Sequence, residues 1–496
     1  MKRMFVMLLI AAIVCSMSAC RSGNISVSNT EPNVSDGTQS TEGTLATGPA
    51  DSDVDPTVPS ENDRPTKPTV PDEKKPEGNK PTGGDEDSDN TEQIPPDPDP
   101  RYHFQDKISQ EVLCRYLARA VTISVQDSDV LSPSNSRHIK KFILDTGAKY
   151  ICRAATCWNP TAADYRTYQG QQEFIESVHM VDPDVVFEAC VFECVSAEVD
   201  QIPIPDWVFR AFDLPVEDRC FSFQDMCFSN GAYVGQWGEG TAVPDITRLE
   251  TKLFIYYRAC AYIKLGFEGI HFGQVHLMGQ NDVNWASLTQ VINMVRDFAK
   301  SNARRGFVFM NAHTHGVKGS DGKLLFDFHM YPSRPMADGT QEPHRPTEAD
   351  PQRATFDAAH YDSIYGKSSG GITYSGWECD SLPYLVELDN YGNASDRLNI
   401  PNPDDMWVWG MDEIGWFANQ PGWYRAEFLE YAYDWVKNSA PGDGFFAMPG
   451  QRVAQIYDSN GITLSYTYMA YDPSSYPRGM GDASAITRIW KNKSGA

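Results

Sequence analysis

Beyond residue 100 the chain carries short apolar runs, most of which end in polar residues. Eight stand out: 149–155, 185–193, 269–275, 306–313, 324–331, 384–390, 406–413 and 444–448. Strands that are apolar almost throughout are buried on both faces, which is the condition of a parallel sheet covered by helices. Helical periodicity falls between several of them, at 172–178, 247–265, 285–301 and 424–438, with a last stretch at 483–490. Strand–helix alternation over this length predicts one (β/α)8 barrel domain spanning 101–496, with an α/β sandwich as the competing architecture. Two gaps, 314–323 and 391–405, hold no helical pattern. Two crossovers are therefore expected to be bare loops, unless part of the sheet is antiparallel.

The first hundred residues read differently. Met1-Lys2-Arg3 precedes an apolar run from Met4 to Val14, the layout of a signal peptide and too short for a stable span. The run ends in Met17-Ser18-Ala19-Cys20, which resembles the bacterial lipobox. That resemblance implies that Cys20 is acylated and becomes the first residue of a protein held at the extracellular face of the membrane by a lipid anchor. Residues 21–100 are rich in Pro, Thr, Ser, Asp, Glu and Gly and almost free of aromatic and branched apolar side chains. Such a segment buries too little to offset ordering entropy, so a disordered stalk is expected. Its 18 acidic and 6 basic side chains account for about half of the net charge of −25. An acidic balance argues against nucleic acid as a partner.

Nine cysteines follow Cys20, with no CxxC spacing, so a cysteine zinc site is not expected. Cys152, Cys190 and Cys260 sit in apolar runs and read as core, whereas Cys220 and Cys227 could pair across a loop. There is no P-loop, no GxGxxG after a strand and no GxSxG elbow, and no cofactor is expected.

In a barrel of this type the active site lies at the C-terminal ends of the strands. The polar residues there are Arg153, Glu193, His271, Gln274, Asn311, His313, Asp327, His329, Glu387, Asp389, Asp412 and Glu413. Aromatics crowd the adjoining loops: Trp158, Trp237, Trp377, Trp416, Trp423 and Tyr391. Carboxylates among indole rings suit a carbohydrate, whose ring faces stack while its hydroxyls meet planar polar groups. Five histidines at run ends (His271, His276, His313, His315 and His329), with Asp327 two residues before the last, support a rival reading as a metal-dependent hydrolase.

The string Trp407-Val-Trp-Gly-Met-Asp412-Glu413-Ile-Gly-Trp416 resembles the nucleophile strand of the large (β/α)8 glycoside hydrolase clan, notably the β-1,3-glucanases. In that clan the glutamate ends strand seven, so the resemblance implies Glu413 as nucleophile. The clan's acid/base glutamate follows an asparagine at the end of strand four. Here the fourth run ends Asn311-Ala312-His313, without that glutamate. The second carboxylate is then sought among Asp389, Glu387, Glu193 and Asp327, with Asp389 first because it lies nearest a strand end. The expected function is a cell-surface glycoside hydrolase acting on extracellular glycan through paired carboxylates. The alternative from another class is a non-catalytic carbohydrate-binding barrel.

Overall fold

The computed structural model describes residues 95–124, 133–158, 168–360, 365, 368–389, 407–439, 443–458, 461–474 and 476–493. Cys20, the signal segment, nearly all of the stalk and Tyr391 lie outside the described residues.

Eight parallel strands close into a barrel: β1 (Ala120–Ile123), β2 (Tyr150–Ala155), β3 (Val186–Cys190), β4 (Gly269–His271), β5 (Phe309–Ala312), β6 (Phe328–Pro332), β7 (Tyr384–Glu387) and β8 (Gly444–Asp458). Closure is made by β1, whose Val121 is registered with Ile151 of β2 on one side and Met448 of β8 on the other. A ninth strand, β9 (Gly461–Met469), returns antiparallel along the extended end of β8. The chain is a (β/α)8 barrel.

The helices are α1 (Gln110–Leu117), α2 (Pro133–Thr146), α3 (Tyr168–His179), α4 (Leu249–Lys264), α5 (Ala286–Asn302), α6 (Glu413–Asn419), α7 (Gly422–Ser439) and α8 (Ala483–Lys493). The five expected helical stretches are all present. After β8 there is no further parallel strand to reach, and α8 packs against both α7 and α2, covering the seam between β8 and β1. The β5–β6 crossover is a bare loop, as the pattern indicated. The second gap, 391–405, lies outside the described residues; among the described residues β6–β7 carries no helix, whereas β7–β8 carries α6 and α7.

One strand was misplaced in the sequence reading. Residues 407–412 are not extended: Val408 and Met411 bridge across a turn formed by Trp409 (φ 53°) and Gly410 (φ 76°), and Glu413 opens α6. That run is apolar because it is buried. Trp409 is fully enclosed and donates from Nε1 to the Arg353 carbonyl at 2.7 Å. The strand that replaces it in the count is β1, four residues long and too short to stand out.

Two cores result. Alternate strand residues, including Ile151, Phe187, Ala189, Ile270, Met310 and Val386, pack outward under the helices. Those of opposite parity (Tyr150, Cys152, Val186, Phe309, Phe328, Met330, Leu385 and Ala447) fill the interior. The lower mouth is plugged by the segment leading into β1. Phe104 and Tyr116 meet Phe309 edge-on at 5.3 and 5.4 Å, and Leu113 is fully buried beside them. Helix α1 is placed for this by a local start signal. Ser109 caps the Val112 N–H at 3.3 Å, and Glu111 in the first turn pairs with Arg115 at 2.7 Å. None of the nine described cysteines is in a disulfide, so Cys220 and Cys227 are not joined. Cys152, Cys190 and Cys260 are core residues.

Candidate active site

With the lower mouth plugged, the inward residues at the C-terminal strand ends form one polar floor across the barrel. Strand alternation delivers Glu188, His271, Asn311 and Glu387 there, since they share parity with Val186, Gly269, Phe309 and Leu385. Arg153 breaks the rule. Tyr150 and Cys152 already point inward, so regular pleating would turn Arg153 out. Its backbone instead adopts φ 58°, and the β2–β3 register slips between Ile151 and Ala155. That irregularity, worth about 1–3 kcal/mol of strain for a non-glycine residue, swings the guanidinium across the barrel.

Glu387 is the anchor of the floor. Its Oε1 accepts from Arg153 Nε at 2.6 Å and its Oε2 from Arg452 Nη1 at 2.8 Å, with the carboxylate fully buried. It spans two guanidiniums and presents no open face. Asp389, two residues on, lies 3.4 Å from Arg452 Nη2 and 3.9 Å from Arg153 Nη2. Its side chain keeps 12% of its exposure, while Glu387 and Glu413 keep none. Among the four carboxylates singled out as catalytic, Asp389 keeps the most exposure.

Glu413 is not at a strand end. At the start of α6 its carboxylate accepts five hydrogen bonds: from the Ser333, Arg334 and Asp389 backbone N–H groups (3.2, 3.2 and 3.3 Å), the Ser333 hydroxyl (2.8 Å) and Arg334 Nη1 (2.9 Å). Burial pushes its acid constant up to about 7, against the pull of Arg334. It ties the β6–β7 loop to the end of β7, and through the Asp389 amide it fixes where that carboxylate stands. Asp412 caps α6, accepting from the Gly415 N–H at 2.6 Å. Burial pushes its carboxyl up to about 8, with the charge on nearby Asp389 adding to the rise, so Asp412 holds a proton at neutral pH.

On the opposite side of the floor a chain of hydrogen bonds runs inward to outward. Glu188 accepts from Tyr150 Oη (2.8 Å), Asn311 Nδ2 (2.6 Å) and the Arg153 N–H (3.2 Å). Asn311 Oδ1 meets His271 Nδ1 at 2.6 Å. His313 lies edge-on over His271 with ring centroids 4.7 Å apart, and its Nε2 is 3.4 Å from Arg153 Nη2. Burial, reinforced by Arg153, holds both imidazoles well below their ordinary acid constant, so both are neutral. Glu193 is enclosed as well, clamped by the backbone and side-chain N–H groups of Gln274 at 2.8 Å each.

Four expected site residues lie elsewhere. Asp327 and His329 flank the inward Phe328 and therefore face the helices. Asp327 accepts from the Met310 N–H at 2.9 Å and pairs with Arg296 of α5 at 3.5 Å. His329 is fully buried, with its imidazole held near 3 by burial. Trp377 belongs to the lower plug, donating to the Ile108 carbonyl at 3.1 Å. Trp416 is a fully buried core residue of α6, donating to the Gln352 carbonyl. The histidines split into two groups: His271 and His313 in the mouth, and His276, His315 and His329 around Thr314 and Tyr331. Among the described residues no three His, Cys, Asp or Glu side chains are arranged to hold a metal ion.

The aromatic rim is smaller than the loops suggested. Trp158 packs on Phe192 (5.0 Å) and Trp237 (5.1 Å), and Phe192 in turn abuts His271. Tyr331 packs against His313 and His315 at 5.5 and 5.3 Å. Glu188, Ser333, Arg334 and Arg452 went unnoticed in the sequence. Glu188 shares strand parity with Val186, a signal that was there to be used, whereas Arg452 lies past the end of the eighth run.

No protein-family model and no curated protein matches this chain. Among solved structures it is similar to Eubacterium rectale Amy13B, at 12% identity and a TM-score of 0.38 over 78% of this chain and 80% of that one. It is also similar to an acarbose-soaked debranching enzyme from Nostoc punctiforme, at 12% identity and 0.33 over 75% and 82%. A third likeness is to a GH27 β-L-arabinopyranosidase from Geobacillus stearothermophilus, at 10% identity and 0.25 over 44% and 54%. In that match the aligned part spans about half of the arabinopyranosidase chain.

Proposed function

We propose that this chain is a glycoside hydrolase acting on extracellular glycan, held at the outer face of the membrane by an acylated Cys20 and spaced from it by the acidic stalk. The observation that carries the reading is the contrast between two neighbouring carboxyls. Asp389, buried but with a side chain 12% exposed, stands beside Arg153 and Arg452, and burial raises the Asp412 carboxyl to about 8, with the charge on Asp389 adding to the rise. A carboxyl raised by burial and by a charged carboxylate beside it suits a division into acid and anion. Asp389 is the anionic group that meets the anomeric centre or its water, and Asp412 supplies the proton to the leaving oxygen. Trp158 and Tyr331 form the flanking surfaces against which a sugar ring stacks.

The sealed state of Glu387, Glu413, Glu193 and Asp412, all 2% exposed or less, favours one second reading, a barrel that binds glycan without cleaving it. A panel of polysaccharides and aryl glycosides separates the two. Turnover by the wild type that Asp389→Asn abolishes, with binding retained, supports the hydrolase. Saturable binding without turnover on every member selects the binding barrel.

A further inference from the structure

The chain of bonds through Glu188 ends on an atom with nothing to hold. His271 Nε2 is buried and has no hydrogen-bond partner among the described residues, an omission that costs roughly 1–3 kcal/mol for a buried polar atom. Its protonation pattern follows from the groups behind it. Three donors converge on Glu188, which therefore acts as an acceptor and takes the Asn311 amide N–H at 2.6 Å. That fixes the Asn311 carbonyl toward His271, and a carbonyl at 2.6 Å from Nδ1 requires the proton to sit on Nδ1. Nε2 is left with a bare lone pair. Beside it stands the His313 ring, half-buried and edge-on to His271 with centroids 4.7 Å apart, its Nε2 3.4 Å from Arg153 Nη2.

Resting on the glycan reading above, we infer that His271 Nε2 is an acceptor reserved for a neutral hydroxyl of the bound sugar, that the His313 ring covers it until that hydroxyl arrives, and that Glu188, acting through Asn311, is the positioning residue that fixes the tautomer. A hydroxyl fits where an ammonium does not, because the Arg153 guanidinium already stands beside both rings. The His313 ring is held by packing on His271 and Tyr331 and a 3.4 Å approach to Arg153, whereas His271 is tied by a 2.6 Å hydrogen bond.

The test is ¹⁵N NMR of the full chain labelled at histidine. In the wild type the His271 Nε2 is expected to be unprotonated and Nδ1 protonated; the reverse assignment overturns the inference. Glu188→Gln lets the Asn311 amide invert so that its N–H faces Nδ1, and the His271 tautomer is expected to switch to Nε2–H. An unchanged tautomer removes the positioning role of Glu188. Should that variant not fold, Asn311→Ala asks the same question and is expected to give a mixture of tautomers. Titration with D-glucose, D-galactose and D-mannose is expected to move the Nε2 resonance saturably with at least one sugar, at lower concentration in His313→Ala, where the cover is gone. No movement in either protein overturns the hydroxyl site. Tautomer and titration are read without turnover, so a glycan-cleaving protein that fails here sinks only this inference.

Discussion

Replacing Glu413 by Gln separates a structural clamp from a nucleophile. A nucleophile exchanged for its amide loses turnover and leaves folding nearly untouched, since a buried charge has been relieved. The surroundings of Glu413 predict otherwise. All five groups that contact its two oxygens are donors, three on Oε2 and two on Oε1. Whichever oxygen becomes NH2, donor then faces donor. With the amide nitrogen on the Oε1 side, the Arg334 N–H and guanidinium lose their acceptor. With it on the Oε2 side, the Ser333 N–H, its hydroxyl and the Asp389 N–H do. Arg334, 5% exposed and held at φ 52°, also loses its countercharge. Removing one partner of a buried pair costs about 3–5 kcal/mol. A domain of about 400 residues unfolds with an entropy near 0.8 kcal/mol/K, so the melting temperature is expected to drop by roughly 4–6 °C. Calorimetry and urea unfolding at pH 8, where Glu413 is largely ionised, are the assays. A variant within about 1 kcal/mol of wild type whose turnover falls a thousandfold would refute the clamp and restore the nucleophile.

Asp412→Asn keeps the cap on Gly415 and removes a carboxyl whose folded value, about 8, stands far above its ordinary 3.8. A raised folded value contributes stability in full below 3.8 and loses it as pH rises through 8. The variant should therefore gain on the wild type across that window in pH-dependent urea unfolding, while losing glycosidase activity, and a flat difference would exclude the burial argument. Asp389→Asn should lower turnover by about a thousandfold or more at little cost in stability. Equal activity would pass the anionic role to another carboxyl. Leu113→Ala, in the plug of the lower mouth, should cost about 2–5 kcal/mol without changing KM on any accepted glycan; a KM shift would mean that the plug reaches the site. Cys20→Ser should move the protein from the membrane fraction to the soluble one, and unchanged partitioning would defeat the lipid anchor.

The barrel was legible because its strands are buried on both faces, and two-sided burial writes continuous apolar runs that composition alone reveals. The same signal misled at 406–413, where burial without extension gives an identical run, and it passed over Ala120–Ile123, where four residues suffice because β2 and β8 hold both edges. Their places at the ends of apolar runs picked out Glu387, His271 and Asn311, which strand alternation turns inward. Parity would have placed Asp327 and His329 outside, had Phe328 and Met330 been taken as the inward pair.

What sequence could not show is how the polar groups divide among themselves. Glu387, Glu413 and Asp389 look alike in a string of letters, yet two are sealed and one is reachable. The difference comes from arginines that arrive by routes no periodicity encodes: Arg153 through a left-handed residue inside β2, Arg334 through another after β6, and Arg452 from beyond the barrel section of β8. Each guanidinium neutralises one enclosed carboxylate, Arg153 and Arg452 sharing Glu387 and Arg334 taking Glu413. Asp389 lies beside the same pair of arginines, 3.4 Å from Arg452 Nη2 and 3.9 Å from Arg153 Nη2. Strain at φ 58° and 52° is tolerated where it holds a charge in place, and both strained arginines brace carboxylates that flank Asp389. The fold thus gathers its arginines around Asp389, which keeps more side-chain exposure than either Glu387 or Glu413.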